Sequence, residues 1–183
     1  MTQPNVLVLP GLGNSGPQHW QSWLEGRLPG SRRVEQADWD TPLREDWIAR
    51  LESAVSQAAG PVVLIAHSLA CLLVAHWANR DGASVGKVAA ALLVAPPDVE
   101  SPAHTPPEVW GFAPVPTAPL PFAAVVVGSR TDPYCPTERA CGFAALWGAD
   151  FIDAGPVGHL NTDAGFGPWP MGERLVLDLL ASL

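Results

Sequence analysis

The chain has 183 residues, 18 acidic and 10 basic, for a formal net charge of −8; 48% are hydrophobic and 15% charged. This length and composition exclude a disordered chain and leave room for one core rather than two. The acid excess, with nine Arg, one Lys and no basic run, argues against a nucleic-acid backbone or an anionic membrane surface as partner.

Short apolar runs alternate with helix-compatible segments along the chain. Asn5–Leu9 reads as a strand too apolar for a half-exposed sheet, and 17–28 as a helix with Pro17 in its first turn. A weak strand is expected at 32–36. Residues 42–59 read as a helix, because Leu43, Trp47, Leu51 and Val55 recur every four residues. Strand 62–66 and an apolar helix over 69–79 follow, then a strand over 87–95. Residues 96–121 break the rhythm with nine of the chain's 20 prolines, the mark of a functional or mobile loop. Strand 122–127, helix 136–147, strand 150–153 and helix 171–183 complete the series. Alternating β and α units predict a parallel sheet with helices on both faces, and fully apolar strands agree. No linker or repeat divides the chain, so residues 1–183 read as one domain.

Three cysteines, Cys71, Cys135 and Cys141, make no disulfide framework and read as free thiols in a reducing compartment. Their spacing offers no zinc set, so no metal is expected. The first residues lack a basic start and a long apolar run, and nothing later is long enough to span a bilayer. A cytoplasmic protein is the expectation.

In a doubly wound sheet, ligands bind beyond the C-terminal strand ends, where the strand order reverses. After the third strand comes Ala66-His67-Ser68-Leu69-Ala70, a small-x-Ser-x-small turn into a helix. A nucleophile elbow needs such a turn, with small flanking residues because the backbone crowds there. Alone, the pentapeptide fits a simple helix N-cap better. Two further rim segments shift the balance: Gly128-Ser129-Arg130-Thr131-Asp132 and Ala154-Gly155-Pro156-Val157-Gly158-His159. Ser68, Asp132 and His159 thus follow three strands, in the chain order of an α/β-hydrolase triad. A serine hydroxyl needs an imidazole to accept its proton, and a carboxylate must fix that imidazole's tautomer. Asp98, after the fourth strand, is the runner-up acid; Asp132 before Pro133 also suits a plain turn.

Attack on a carbonyl also calls for donors to the oxyanion. The backbone N–H of Leu69 is one, and the loop Pro10–Gly16 should supply the other, from Leu12 or alternatively Gly13. That loop also spells Gly11-x-Gly13-x-x-Gly16, the dinucleotide fingerprint. Pro17 comes where the binding helix should already be under way, so the match reads as a decoy and no cofactor is expected.

At these residues the chain resembles the small α/β-hydrolases that include the retinoblastoma-binding serine hydrolase and its bacterial relatives. The resemblance rests on PGLGNSGPQHWQSW (10–23), AHSLA (66–70), SRTDPYCPTERA (129–140) and WGADFIDAGPVGHLNTDAGFGPWP (147–170). It implies a compact three-layer α/β-hydrolase fold of about six parallel strands, order 2-1-3-4-5-6, without a large cap domain. It also implies Ser68 as nucleophile, Asp132 as acid and His159 as base. One departure is Ala70, where such elbows usually carry Gly.

His19, Trp20, Trp110, Phe166 and Trp169 are candidates for a substrate pocket, with core packing as the alternative. His67 lies beside the nucleophile but points differently on a tight turn, so a catalytic role is its lesser alternative; His76 and His104 read as structural or exposed, and Cys71 as a packed side chain. The expected function is a serine hydrolase, an esterase acting on a small ester, thioester or amide acyl substrate. The rival is a protein-binding module on a hydrolase fold with little or no turnover, its protein partner unknown.

Overall fold

The computed structural model describes residues 4–80 and 83–183. Residues 1–3, part of the segment read as lacking a secretory signal, lie outside them. Six strands, β1 (Asn5–Leu9), β2 (Arg32–Arg33), β3 (Val62–His67), β4 (Val88–Val94), β5 (Ala123–Gly128) and β6 (Asp150–Asp153), pair in parallel in the order 2-1-3-4-5-6. Among the described residues five α-helices accompany them: α1 (Trp20–Glu25), α2 (Arg44–Ser56), α3 (Leu69–Ala78), α4 (Thr137–Trp147) and α5 (Pro170–Ala181).

The period-2 alternation of the central strands sorts their side chains onto two cores. Leu7, Leu9, Leu64, Ala66, Leu93 and Val126 pack with α2, α3 and α4. Val6, Ile65, Leu92, Val94 and Val127 pack on the other face with Trp20 and Leu24 of α1 and Val176 of α5. The result is three layers. Helix α3, apolar all round, is buried along nearly its whole length, as such a helix must be. Among the described residues no helix is long and apolar enough to cross a membrane.

Several elements are shorter than their sequence pattern suggests. The strand expected over 32–36 is only Arg32–Arg33, a charged edge strand whose second residue is turned to side-chain bonding. The helix expected from Pro17 begins at Trp20, because His19 caps it by accepting the Gln21 N–H on Nδ1 at 3.1 Å. The helix expected over 42–59 runs Arg44–Ser56. The Pro-rich stretch 96–121 holds a 3-10 turn at Pro107–Phe112 and buries Val109 and Phe112 in the larger core. It is fastened to α4, where Arg139 pairs with both Asp98 and Glu100 and Trp147 donates to the Pro116 carbonyl at 2.8 Å.

Register brings the strand ends together. Leu9 of β1 lies opposite Ala66 of β3, Val94 of β4 opposite Val127 of β5, and Gly128 opposite Asp153 of β6. The loops that leave β1, β3, β5 and β6 therefore meet on one rim.

Candidate active site

Ser68 sits at the tip of the turn from β3 into α3 with φ 56° and ψ −127°. A non-glycine residue there carries strain of about 1–3 kcal/mol, held by surrounding structure. Here the Ser68 N–H donates to the Val94 carbonyl at 2.8 Å, and the Ser68 carbonyl accepts from the Cys71 N–H at 2.9 Å. The Ser68 hydroxyl makes no helix-capping bond. It faces Nε2 of His159 at 2.9 Å instead, which disposes of the plain N-cap alternative.

The other ring nitrogen of His159, Nδ1, lies 2.9 and 2.8 Å from the two carboxylate oxygens of Asp132. A carboxylate facing Nδ1 keeps the proton there and leaves Nε2 free to accept from the serine. Asp132 also accepts the Tyr134 N–H at 2.9 Å, so the turn expected before Pro133 forms around the same carboxylate. The two loops are stitched together: Ser129 Oγ accepts from the Val157 N–H, Thr131 Oγ1 accepts from the Gly158 N–H, and the Gly155 carbonyl accepts from the Arg130 N–H. Trp20 donates its indole N–H to the Leu160 carbonyl at 2.8 Å and fixes the far side of the histidine. The structure thus brings Ser68, Asp132 and His159 into one hydrogen-bonded line. Asp98 is elsewhere engaged, its carboxylate 3.3 Å from the Arg139 guanidinium.

The loop after β1 lies directly against the elbow. A Cβ on Gly11 would come within 2.8 Å of Ser68 Cβ and 2.9 Å of the His67 carbonyl, so only glycine allows this approach. The Gly13 N–H is spent on the Trp39 carbonyl at 2.9 Å, which removes Gly13 as an oxyanion donor. Leu12 and Leu69, the two expected donors, both border the cleft over Ser68, and Leu69 opens helix α3, where a first-turn N–H has no helical partner.

Sequence reasoning misses what holds this loop. Gln21, fully buried, donates from its amide to the carbonyls of Leu9 and Ile65 and accepts from the Ser15 hydroxyl at 2.6 Å. It thereby satisfies main-chain groups where β1 and β3 diverge. Arg33 reaches the Asn14 side chain and the Ser15 carbonyl while pairing with Glu25. A buried polar residue one position from a Trp on an apparent surface helix leaves no one-dimensional signal.

The cleft itself has a volume of about 280 Å³. Pro97, Pro106 and Val109 from the Pro-rich stretch and Leu12 and Leu69 give it apolar wall. Asn14, His19, Asn161 and Asp163 give it polar wall. Of the five pocket candidates only His19 reaches it. Trp20 and Trp169 pack edge-to-face at 4.9 Å in the smaller core, Phe166 packs against that core, and Trp110 is half-exposed with its indole bonded to the Thr105 carbonyl. Tyr134, not foreseen, lies edge-on to the His159 ring at 4.5 Å.

Three imidazoles line up here: His67 lies 4.8 Å from His19 and 5.0 Å from His159, ring centre to ring centre. Burial, with the charges of Arg33 and His159 adding to it, lowers the His19 pKa to about 4. Burial likewise pushes that of His67 well down, so neither carries charge at neutral pH. Burial pushes the Cys71 thiol far up and that of Cys135 to about 12, which makes both inert. Among the described residues no group of three or more His, Cys, Asp or Glu is arranged to hold a metal ion.

A family model described as serine hydrolase matches residues 6–178. No curated protein matches the sequence. Among solved structures, a protein described as a YdeN-like hydrolase from Pectobacterium atrosepticum is 29% identical, with a TM-score of 0.83 over 98% of this chain and 91% of that one. The ydeN gene product of B. subtilis is 20% identical, with a TM-score of 0.77 over 98% of this chain and all of that one. The esterase domain of a Rhodothermus marinus protein is 16% identical, with a TM-score of 0.71 over 98% and 88%; at such identities the likeness is one of fold.

Proposed function

Since the chain belongs to the serine hydrolase family, we propose that it cleaves a small carboxylic ester, thioester or amide through an acyl-enzyme on Ser68. One observation carries this reading: Nε2 of His159 is 2.9 Å from Ser68 Oγ while Nδ1 faces both oxygens of Asp132. His159 takes the Ser68 proton as Oγ attacks the substrate carbonyl, and Asp132 stabilises the imidazolium that forms. The tetrahedral oxyanion is held by the backbone N–H groups of Leu12 and Leu69. Collapse expels the alcohol, thiol or amine, which leaves with the proton from His159. A water then repeats the sequence on the acyl-enzyme, giving the carboxylic acid and free Ser68.

The cleft of about 280 Å³ supports a small acyl group. It lies just below the range of ordinary ligand pockets, which run from about 300 to 1,000 Å³. Treatment with a fluorophosphonate followed by peptide mapping tests the reading. The adduct is expected on Ser68 of the folded protein, and to be lost in His159→Ala. A folded protein that takes up no label, or takes it elsewhere, contradicts the proposal.

A further inference from the structure

The substrate's identity is written in the polar wall of the cleft. His19 borders the cleft together with Ser68 and His159. Its Nδ1 accepts the backbone N–H of Gln21 at 3.1 Å. An acceptor nitrogen carries no proton, so in the neutral ring the proton sits on Nε2. Among the described residues Nε2 has no hydrogen-bond partner, although the ring is otherwise buried, with 4% of its surface exposed. That nitrogen is not sealed from solvent, since it is not among the buried atoms that lack a partner, so its N–H is open to the cleft and available to whatever enters it. The tautomer is set by the main chain and cannot flip to suit the ligand: His19 offers a donor and never an acceptor.

Charge narrows the class further. No Lys or Arg lines the cleft, and Asp163 contributes a negative charge to its wall. Arg33, the basic residue whose field reaches His19, is occupied by Glu25, Asn14, Ser15 and Ser22. A carboxylate or phosphate on the substrate therefore finds no counter-charge.

Resting on the hydrolase reading above, we propose that the cleft selects small uncharged esters or amides bearing a hydrogen-bond acceptor close to the scissile carbonyl, and that His19 is the specificity-determining donor to that acceptor. His19 takes no part in the proton transfers; it reads an ether, hydroxyl or carbonyl oxygen on the bound molecule. An acceptor close to the ester carbon shares its space with the ring, since His19, Ser68 and His159 line the same small cleft.

The test uses three p-nitrophenyl esters of similar length: methoxyacetate, butanoate and hemisuccinate. Each kcat/KM is divided by the ester's own hydroxide-catalysed rate, which removes intrinsic reactivity. The wild-type protein is expected to favour methoxyacetate over butanoate by about tenfold, the worth of one hydrogen bond, and to disfavour hemisuccinate by at least about as much. In His19→Phe the preference for methoxyacetate should fall to about one, whatever the absolute rates. His19→Asn serves as a second variant, because its side-chain oxygen can still receive the Gln21 N–H but is too short to offer a donor to the cleft. It should lose the preference likewise.

No preference in the wild-type protein, or one that survives in both variants, overturns the inference. So does hemisuccinate as the best substrate. Those results leave the hydrolase reading standing, provided Ser68 still takes the fluorophosphonate and Ser68→Ala abolishes turnover of all three esters. If Ser68 takes no label and none of the esters is cleaved, the hydrolase reading fails and this inference falls with it.

Discussion

His67 holds the main chain of His159: its Nε2 lies 3.0 Å from the His159 carbonyl oxygen. A carbonyl can only accept, so the proton is on His67 Nε2. The residue just before the candidate nucleophile thus ties down the candidate base, joining the end of β3 to the loop after β6 across 92 positions.

His67→Leu fills similar space but strands the buried His159 carbonyl. The expected cost is about 1–3 kcal/mol of stability, read by urea denaturation. Turnover on an activated ester should fall about tenfold with KM little changed, because the base is mispositioned after the substrate has bound. Unchanged kcat together with unchanged stability would show that the bond is idle.

Asp132→Asn and Asp98→Asn should behave very differently. The first leaves a neutral amide beside His159 Nδ1 and favours the wrong tautomer, with a loss in kcat of up to about four orders of magnitude. The second weakens a pairing with Arg139 that fastens the Pro-rich stretch, and should cost less than about tenfold. Kinetics of both variants on one ester, at matched stability, decide the matter; the reverse ranking would make Asp98 the acid.

Gly11→Ala places a methyl group 2.8 Å from Ser68 Cβ and 2.9 Å from a carbonyl, and backbone must move. A loss of about 1–3 kcal/mol and a fall in kcat are expected. Gly142→Ala, in the interior of α4 with nothing within 4 Å, should instead raise stability by about 0.5–1 kcal/mol. Thermal unfolding of the two variants side by side provides the measurement, and equal midpoints would refute the close approach.

Stability should fall as the pH drops from about 6.5 toward 4. His19 has a pKa of about 4 in the folded chain and about 6.5 when unfolded, so in that window the unfolded state binds a proton that the folded state refuses. The contribution is fully present above 6.5 and amounts to about 3 kcal/mol when lost. His67 acts in the same sense. Denaturation curves across this range should show a shallower pH slope for His19→Asn than for the wild-type chain; identical slopes would mean that the His19 ring is already protonated when folded.

Much of this arrangement is legible in one dimension. Ser68, Asp132 and His159 each follow an apolar run by a few residues, and parallel topology turns that spacing into proximity. The Pro-rich stretch is recognisable as an interruption, yet its prolines do not reveal that Val109 and Phe112 anchor it in the core. The tryptophans are harder. An indole suits a core and a pocket equally well, and Trp20 and Trp169 go to the core because α1 lies on the face opposite α3, a choice made by tertiary packing. Gln21 is least legible, since the carbonyls it satisfies belong to strands 12 and 44 residues away.

The division of the cleft walls has an evolutionary consequence. Pro97, Pro106 and Val109 come from a stretch that supplies none of the three side chains of the Ser68–His159–Asp132 line, although its Asp98 N–H and His104 ring bond the Tyr134 and Pro133 carbonyls beside Asp132; the residues of that line ride on sheet-end loops stitched to one another. Mutation at these three wall positions can therefore remodel what the cleft admits while leaving those bonds in place. Descendants of this chain are free to diverge in diet while inheriting the same chemistry.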